Sequence, residues 1–441
     1  MDSGGQKQQS IVLLVVLVTM ATVILWYVLN PGALTPTARN RVARVYFADR
    51  ISSAHRLVID RFNELHRGAI EVVPVDLPFE KFSTNERKEL LARSLRSKSD
   101  KIDVFAVDLI WVDRFARWCE PLDNAIGPAY RGRVIPVALQ SCVSDSSLVS
   151  IPLYIDIGLM YYRKDLIDRL PDAAAVEDTL ARSITWPEFL RLRSRMGYEG
   201  KPFYVFQAYD YEGLLCNYLE FVVGHDPRAL SSNTIDLRSP VARSSLQMMV
   251  DLVSRDGISP SAVTGFDENR SYQYMLDHDA VFVRGWPNFV ENFQNAYPDT
   301  MKLHQIRTAA LPHFPGVPPT SVFGGWNLML SKYSLHKPEA LEFVRFTQTK
   351  EAQTIMYETG GFLPTSNEVY QDTAYMRAHP QLAYYYTLLQ RGFHRPALVD
   401  YTRISDILSH YIHRAITREL SVEEALQKAS AMITSNQVLI K

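Results

Sequence analysis

The chain has 441 residues, enough for two or three domains at about 150 residues each. Its 47% hydrophobic and 22% charged residues, with 6 Trp, 23 Tyr and 20 Phe, exclude a disordered chain, because that much apolar surface can be buried. The 47 Lys and Arg against 48 Asp and Glu leave a formal charge of −1, which excludes a highly charged chain and argues against a nucleic-acid binder.

The first thirty residues differ from the rest. Ile11 to Leu29 carries no charge and is interrupted only by Thr19 and Thr22. At about 1.5 Å per residue this run reaches roughly 28 Å, the thickness of a bilayer's hydrocarbon core. Trp26 and Tyr27 stand near its far end, where amphipathic rings favour an interface. The run is long for a signal core, and Asn30–Leu34 offers no small-x-small cleavage site, so the expectation is an uncleaved transmembrane helix over residues 1–30. Residues 31–41, with Pro31, Gly32 and Pro36, read as a linker. Lys7 precedes the span whereas Arg39, Arg41 and Arg44 follow it, a charge pattern that by itself would leave the body inside.

Val42–Ala48 reads as a strand, and Ser52 or Ser53 caps a helix whose apolar face is Leu57, Val58, Phe62 and Leu65. Ala69–Val75 is a second strand, Glu86–Ser97 a second helix and Asp103–Val107 a third strand. This alternation predicts an α/β lobe with a mostly parallel sheet. Ligands of such sheets bind beyond the carboxyl ends of the strands, which is where Asp108 stands.

Further on, Thr185 caps a helix with Pro187 in its first turn. Another helix lies within Leu237–Ser254. Strands follow at Asp279–Arg284 and Phe323–Leu330, then helices at Lys337–Thr347, Glu351–Thr359, Ala383–Arg391 and Ile404–Arg418, and a last one from Ser421. Strands that return after a helix-rich stretch suggest two lobes with more than one crossing between them.

Phosphate-binding glycine loops, GxSxG, HExxH and CxxC motifs are all absent. His410 and His413 have no acidic or cysteine partner nearby in sequence, and Tyr161 and Tyr162 would face opposite sides of a strand, so neither pair argues for a metal. No cofactor is expected. Cys119 and Cys142 either bridge within the first lobe or stay reduced and buried, as Cys216 is expected to do.

Candidate binding residues gather in a few stretches. Ile151–Asp165 is a Pro-led apolar strand that delivers Tyr154 and Asp156 to one face and passes through Gly158 into another strand. Tyr211 and Glu212 close an aromatic loop and open a helix. Trp286 and Asn288 follow a strand, and Gly324, Gly325 and Trp326 open the next. Trp111, at an apolar helix start, reads as core.

Six stretches in order, Val107–Asp123, Ile151–Leu166, Tyr211–Asn217, Arg284–Asn288, Phe323–Phe346 and His394–Tyr401, make the body from about Val42 onward similar to the extracellular solute-binding proteins of ABC importers, nearest to the maltose/trehalose type. The resemblance implies a type-two periplasmic-binding fold, two α/β lobes joined by a multi-segment hinge, with residues 42–153 and 284–328 in one lobe and 154–283 and 329–441 in the other. It implies that Asp108 and Asp156 hold sugar hydroxyls, that Tyr154, Trp286 and Trp326 stack on sugar faces, that Gly324 and Gly325 present N–H groups, and that Arg395 reaches in from the carboxy-terminal helices. Tyr211, Glu212 and Asn288 complete the candidate site. The chemistry agrees, since carboxylates take bidentate bonds from vicinal hydroxyls and aromatic rings pack on C–H faces.

The implied function is a monomer, with no enzymatic activity, that binds a di- or oligosaccharide outside the membrane and passes it to the membrane subunits of an importer. It overrides the charge pattern around the apolar run. A sensor that presents its closed form to a receptor and a carbohydrate-active enzyme with paired carboxylates stay open as alternatives. Three departures bear on specificity: Asp49–Ser53 lacks a glycine-acidic signature, Ser366 replaces a basic residue, and Ser141–Ser150 lacks a turn glycine.

Overall fold

Strand Ala43–Asp49 runs parallel to both Ile70–Asp76 and Val104–Asp108, as the strand–helix–strand alternation predicts. In the computed structural model the described residues are 15–26, 29, 42–78, 84–98, 101–231, 235–294, 297–398 and 400–439. Helix Ser53–Leu65 is capped by Ser52 and buries Ala54, His55, Val58, Ile59 and Phe62. Leu57 and Leu65, expected on that face, are instead exposed: the stripe set by Val58 and Phe62 continues through Ala54 and Ile59, about 100° of helical rotation away from Leu57.

The long strand Ser321–Leu330 completes this first sheet. It is antiparallel to Val104–Asp108 on one side and to Ile151–Ile157 on the other, and it pairs with Gly392–Phe393 at its start. A second sheet holds Ile306–Ala309, Leu159–Arg163, Phe282–Gly285 and Tyr204–Val205 in that order. The extended run from Ile151 to Arg163 therefore belongs to both sheets and changes from one to the other at Gly158.

The expected division of the chain needs correction. Residues 284–328 do not belong wholly to the first lobe, because Phe282–Gly285 and Ile306–Ala309 pair with Leu159–Arg163 in the second sheet. Residues 154–157, assigned to the second lobe, are part of a strand of the first sheet. Residues 329–441 divide as well: Phe343, from helix Lys337–Thr347, packs on Phe47 and Phe62 of the first lobe at 5.3 Å between ring centres. Helix Lys350–Gly360 also packs on Ser53–Leu65. Only later does the chain return to the second side, where Tyr401–Ile416 packs on Glu212–His225 and Val422–Thr434 packs on Tyr401–Ile416. Glycine and aromatic signals locate strands, but pairing partners decide the lobe.

The crossing at Gly158 has a physical requirement. A side chain there would overlap the Glu220 carboxylate and the Arg284 guanidinium. Arg284 donates to Glu220 at 2.8 and 3.2 Å, and the same carboxylate accepts the Val322 N–H at 3.4 Å. Gly158 N–H in turn donates to the Val322 carbonyl at 3.0 Å. Two crossing segments are thus bound to each other and to one buried ion pair.

The loop without a glycine forms a hairpin between Val143–Ser144 and Ser147–Leu148, with Asp145 and Ser146 taking positive φ of 47° and 67°. Aspartate tolerates this conformation, so the turn forms without the expected residue. The open question of a Cys119–Cys142 bridge resolves against it: all three cysteines are free and buried. Cys119 lies against the sulfur of Met329 at 3.6 Å, whereas Cys142 donates to Ala138, in a separate packed cluster.

At the amino end residues 15–26 are helical and exposed, and Thr19 and Thr22 bond back to the Val15 and Val18 carbonyls at 2.6 and 2.9 Å. Among the described residues no helix is long and apolar enough to cross a membrane. The remainder of the expected span, except residue 29, and the whole of the linker 31–41 lie outside the described residues.

Two outcomes follow. Gly158→Ala, which must displace Glu220 or Arg284, is expected to lower stability by about 1–3 kcal/mol in thermal or denaturant unfolding. The three thiols should resist a thiol reagent in the native protein and all react after unfolding, since burial pushes the Cys142 thiol up to about 12 and the Cys119 and Cys216 thiols up as well.

Candidate functional site

The carboxyl end of Val104–Asp108 opens on a cavity of about 320 Å³, within the ordinary size range of small-molecule sites. All eleven residues singled out from the sequence line it. Those of the first sheet converge because Ser321–Leu330 lies between Val104–Asp108 and Ile151–Ile157, with Gly324 opposite Asp156 and Trp326 opposite both Asp108 and Tyr154, whereas Trp286 and Asn288 follow Phe282–Gly285 of the second sheet.

Both glycines are required by close approach. Gly325, at φ 132°, would place a Cβ 2.6 Å from the Tyr154 carbonyl oxygen. A Cβ on Gly324 would lie 2.9 Å from the ring of Trp286 and 3.3 Å from Asp156 Cβ. The bare strand therefore lets an indole and a carboxylate share one wall.

Each indole is held by a guanidinium. Arg284 lies 4.0 Å from the Trp286 ring centre and Arg87 lies 4.3 Å from that of Trp326. The Trp286 Nε1–H donates to Glu268 at 3.2 Å, and its backbone N–H donates to the Tyr272 hydroxyl at 2.9 Å. Trp326 also meets Trp111 edge-on at 6.0 Å, and Trp111 is core, 1% exposed. Both Trp286 and Trp326 stay half-buried, fixed in orientation with surface left on the cavity. Tyr154 packs on Phe362 at 4.4 Å.

The charged groups form distinct sets. Arg395, 3% exposed, donates to Asp108 at 2.6 Å and to Glu212 at 2.8 Å. Glu212 also accepts the Tyr401 hydroxyl at 2.6 Å and the Ser405 hydroxyl. Asp108 in addition accepts the Ile110 N–H at 3.1 Å and so caps the turn that follows its strand. Burial pushes the Asp108 carboxyl up, Arg395 opposes this and Glu212 adds to it, with a net upward direction. Arg395 thus spans two carboxylates rather than projecting free from the carboxy-terminal helices.

Asp156 is different. It is 7% exposed, and its Oδ1 has no hydrogen-bond partner among the described residues. Burial, reinforced by Asp108 and opposed by Arg284, pushes its carboxyl up to about 7.

The sequence reading missed part of the lining. Asp49 ends a parallel strand and Arg50 follows it, at the edge where Asp108 stands on its own strand, so the same rule applied to Ala43–Asp49 finds them. Buried Asp49 accepts Arg87 at 2.7 Å and meets His55 at 3.3 Å; burial pushes its carboxyl up, and His55, Arg87 and the Arg50 N–H reverse this to a net downward direction. Arg87 carries no signal within the charged run of helix Thr84–Arg96, nor does Glu268 in a helix the apolar pattern does not announce. Ser366 does not line the cavity; it caps helix Asn367–Gln371. His410 and His413 bond separately to Asp210 and the Ala208 carbonyl, and Tyr161 and Tyr162 to the Trp286 carbonyl and Glu177.

A raised carboxyl gives a definite sign. Asp156 destabilises the fold as pH rises from about 4, where the unfolded side chain ionises, to about 7, where the folded one does. Asp156→Asn should therefore be more stable than the unsubstituted protein above pH 7, by on the order of 2–4 kcal/mol, and no more stable below about pH 4. Thermal unfolding across pH reads this.

Known proteins share this fold. Maltose-bound MalE3 of T. maritima superposes with a TM-score of 0.80 at 27% identity, covering 89% of this chain and 99% of that one. An ABC transporter solute-binding protein of Thermotoga lettingae bound with α-D-tagatose gives 0.75 at 19% identity, over 89% and 99%. A probable ABC transporter-binding protein of Deinococcus radiodurans is 26% identical over 350 residues, 78% of this chain and 82% of that one. Residues 46–354, well over half the chain, match the model of the bacterial extracellular solute-binding proteins. With this α/β fold, the chain belongs to that family.

Proposed function

We propose that the cavity binds a carbohydrate, a di- or oligosaccharide, and that the protein carries it to the membrane subunits of an ABC importer. The observation that carries this is the wall built on Ser321–Leu330: half-buried indoles on either side of a glycine pair, with Asp108 and Asp156 beside them. Rings of fixed orientation suit the C–H faces of a sugar, and carboxylates suit its hydroxyl edges. Relatives of the same fold are described as bound to maltose and to tagatose.

Binding would draw the two sheets together about the crossings at Gly158 and Val322. The protein acts as a monomer and catalyses nothing; the energy of transport comes from its partners. The apolar run Ile11–Leu29 anchors it uncleaved, residues 31–41 space the body from the bilayer, and the body lies outside the cytoplasmic membrane.

Thermal unfolding of the full chain with a panel of sugars, amino acids, polyamines and iron tests the first reading. A ligand at about 100 times its Kd adds about 2.7 kcal/mol, so a bound disaccharide should raise Tm visibly. Trp286→Ala should remove that rise. A rise with iron or an amino acid and with no sugar would refute the carbohydrate reading. For the anchor, the full chain should stay with the membrane fraction under alkaline extraction, and deletion of residues 1–30 should release it.

A further inference from the structure

Formal charges along the cavity wall do not balance. Seven carboxylates and three guanidiniums line it, a surplus of four negative charges. Arg395 is bound to Asp108 and Glu212, and Arg87 to Asp49. Behind the wall Arg284 faces Asp156, but its Nε and Nη2 bond Glu220 and its buried Nη1 makes no hydrogen bond among the described residues. That leaves Asp156 and Glu268 with no cation of their own among the ion pairs of the described residues. The Asp156 Oδ1 is buried without any hydrogen-bond partner there.

A neutral sugar would supply hydrogen bonds to these oxygens but no charge, and closure over it would desolvate the surplus. An ammonium meets both needs with charge-assisted bonds. Resting on the carbohydrate reading above, we propose that the preferred ligand is a sugar bearing a protonated amine, seated against Asp156 beside Gly324, with Asp108 and Glu268 as flanking charges.

The groups that face Asp156 are Asp108 at the end of its strand, Arg284 from Phe282–Gly285, Tyr154 from its own strand and Tyr272 from Glu268–Asp277. Burial first, then Asp108, pushes the carboxyl up to about 7, and a bound cation lowers it. Amine affinity must therefore rise as pH rises toward about 7, for as long as the amine keeps its own proton.

Calorimetric titration of the full chain with a matched trio tests this: a disaccharide with one free amine, its N-acetyl derivative and the parent hydroxyl sugar. The free amine should bind at least about tenfold tighter than either neutral form and tighten with pH. Asp156→Asn, whose amide still bonds hydroxyls, should bring the three within about threefold of one another by weakening the amine alone. Parent sugar binding equal to or tighter than the amine would overturn the amine proposal and leave the carbohydrate reading standing. An amine preference that survives Asp156→Asn would overturn the seat. No binding by any member of the trio or of the wider sugar panel would overturn the carbohydrate reading and this proposal with it.

Discussion

Arg395 joins carboxylates that come from different sides of the molecule. Asp108 ends a central strand of the first sheet, and Glu212 opens a helix that packs on the carboxy-terminal helices. A guanidinium 3% exposed cannot lose either partner cheaply: breaking a buried pair costs about 3–5 kcal/mol, because a desolvated charge is left behind. The Tyr401 and Ser405 hydroxyls satisfy further lone pairs of Glu212, so the charged set also fixes the start of helix Tyr401–Ile416. The floor of the cavity is therefore set by an ionic contact made between distant parts of the chain.

A second buried pair works closer to the crossings. Glu220 accepts from Arg284 and from the Val322 backbone, occupies the space left by Gly158, and so fixes where the chain passes between sheets. Arg284 simultaneously covers one side of Trp286. A ring on the cavity wall is thereby one residue contact away from the carboxylate at the crossing. If Trp286 moves on the proposed closure, the guanidinium that braces the crossing moves with it, without any long chain of intermediates.

The sequence announced what local rules govern. Ser52, Thr185 and Ser421 cap helices where expected, the latter two with complete capping boxes. Asp108 ends its strand at the carboxyl edge, where ligands of parallel sheets bind, and Gly324–Gly325 preceding an indole marks a backbone that something must approach closely. What stayed hidden depends on partners far away in the chain. Nothing near Arg87 says that it will brace Trp326, and nothing near Ile306 says that it will pair with Arg163. The lobe boundaries went wrong for that reason: strand identity is local, whereas strand pairing is a property of the whole chain. The cysteines follow the same logic, since two residues a short loop apart end in separate packed clusters.

Charge shows the difference between an average and a place. Across 441 residues the formal balance is −1, which fits a protein that neither binds nucleic acid nor repels itself. Along one cavity wall the balance is far more negative, and part of that charge is buried where solvent screens it poorly. The whole-chain figure conceals this because paired residues elsewhere, such as Arg61 with Glu64 and Glu351, cancel at the surface. On the amine proposal, the position of this charge beside Gly324 and Trp286 makes the ligand its counter-charge.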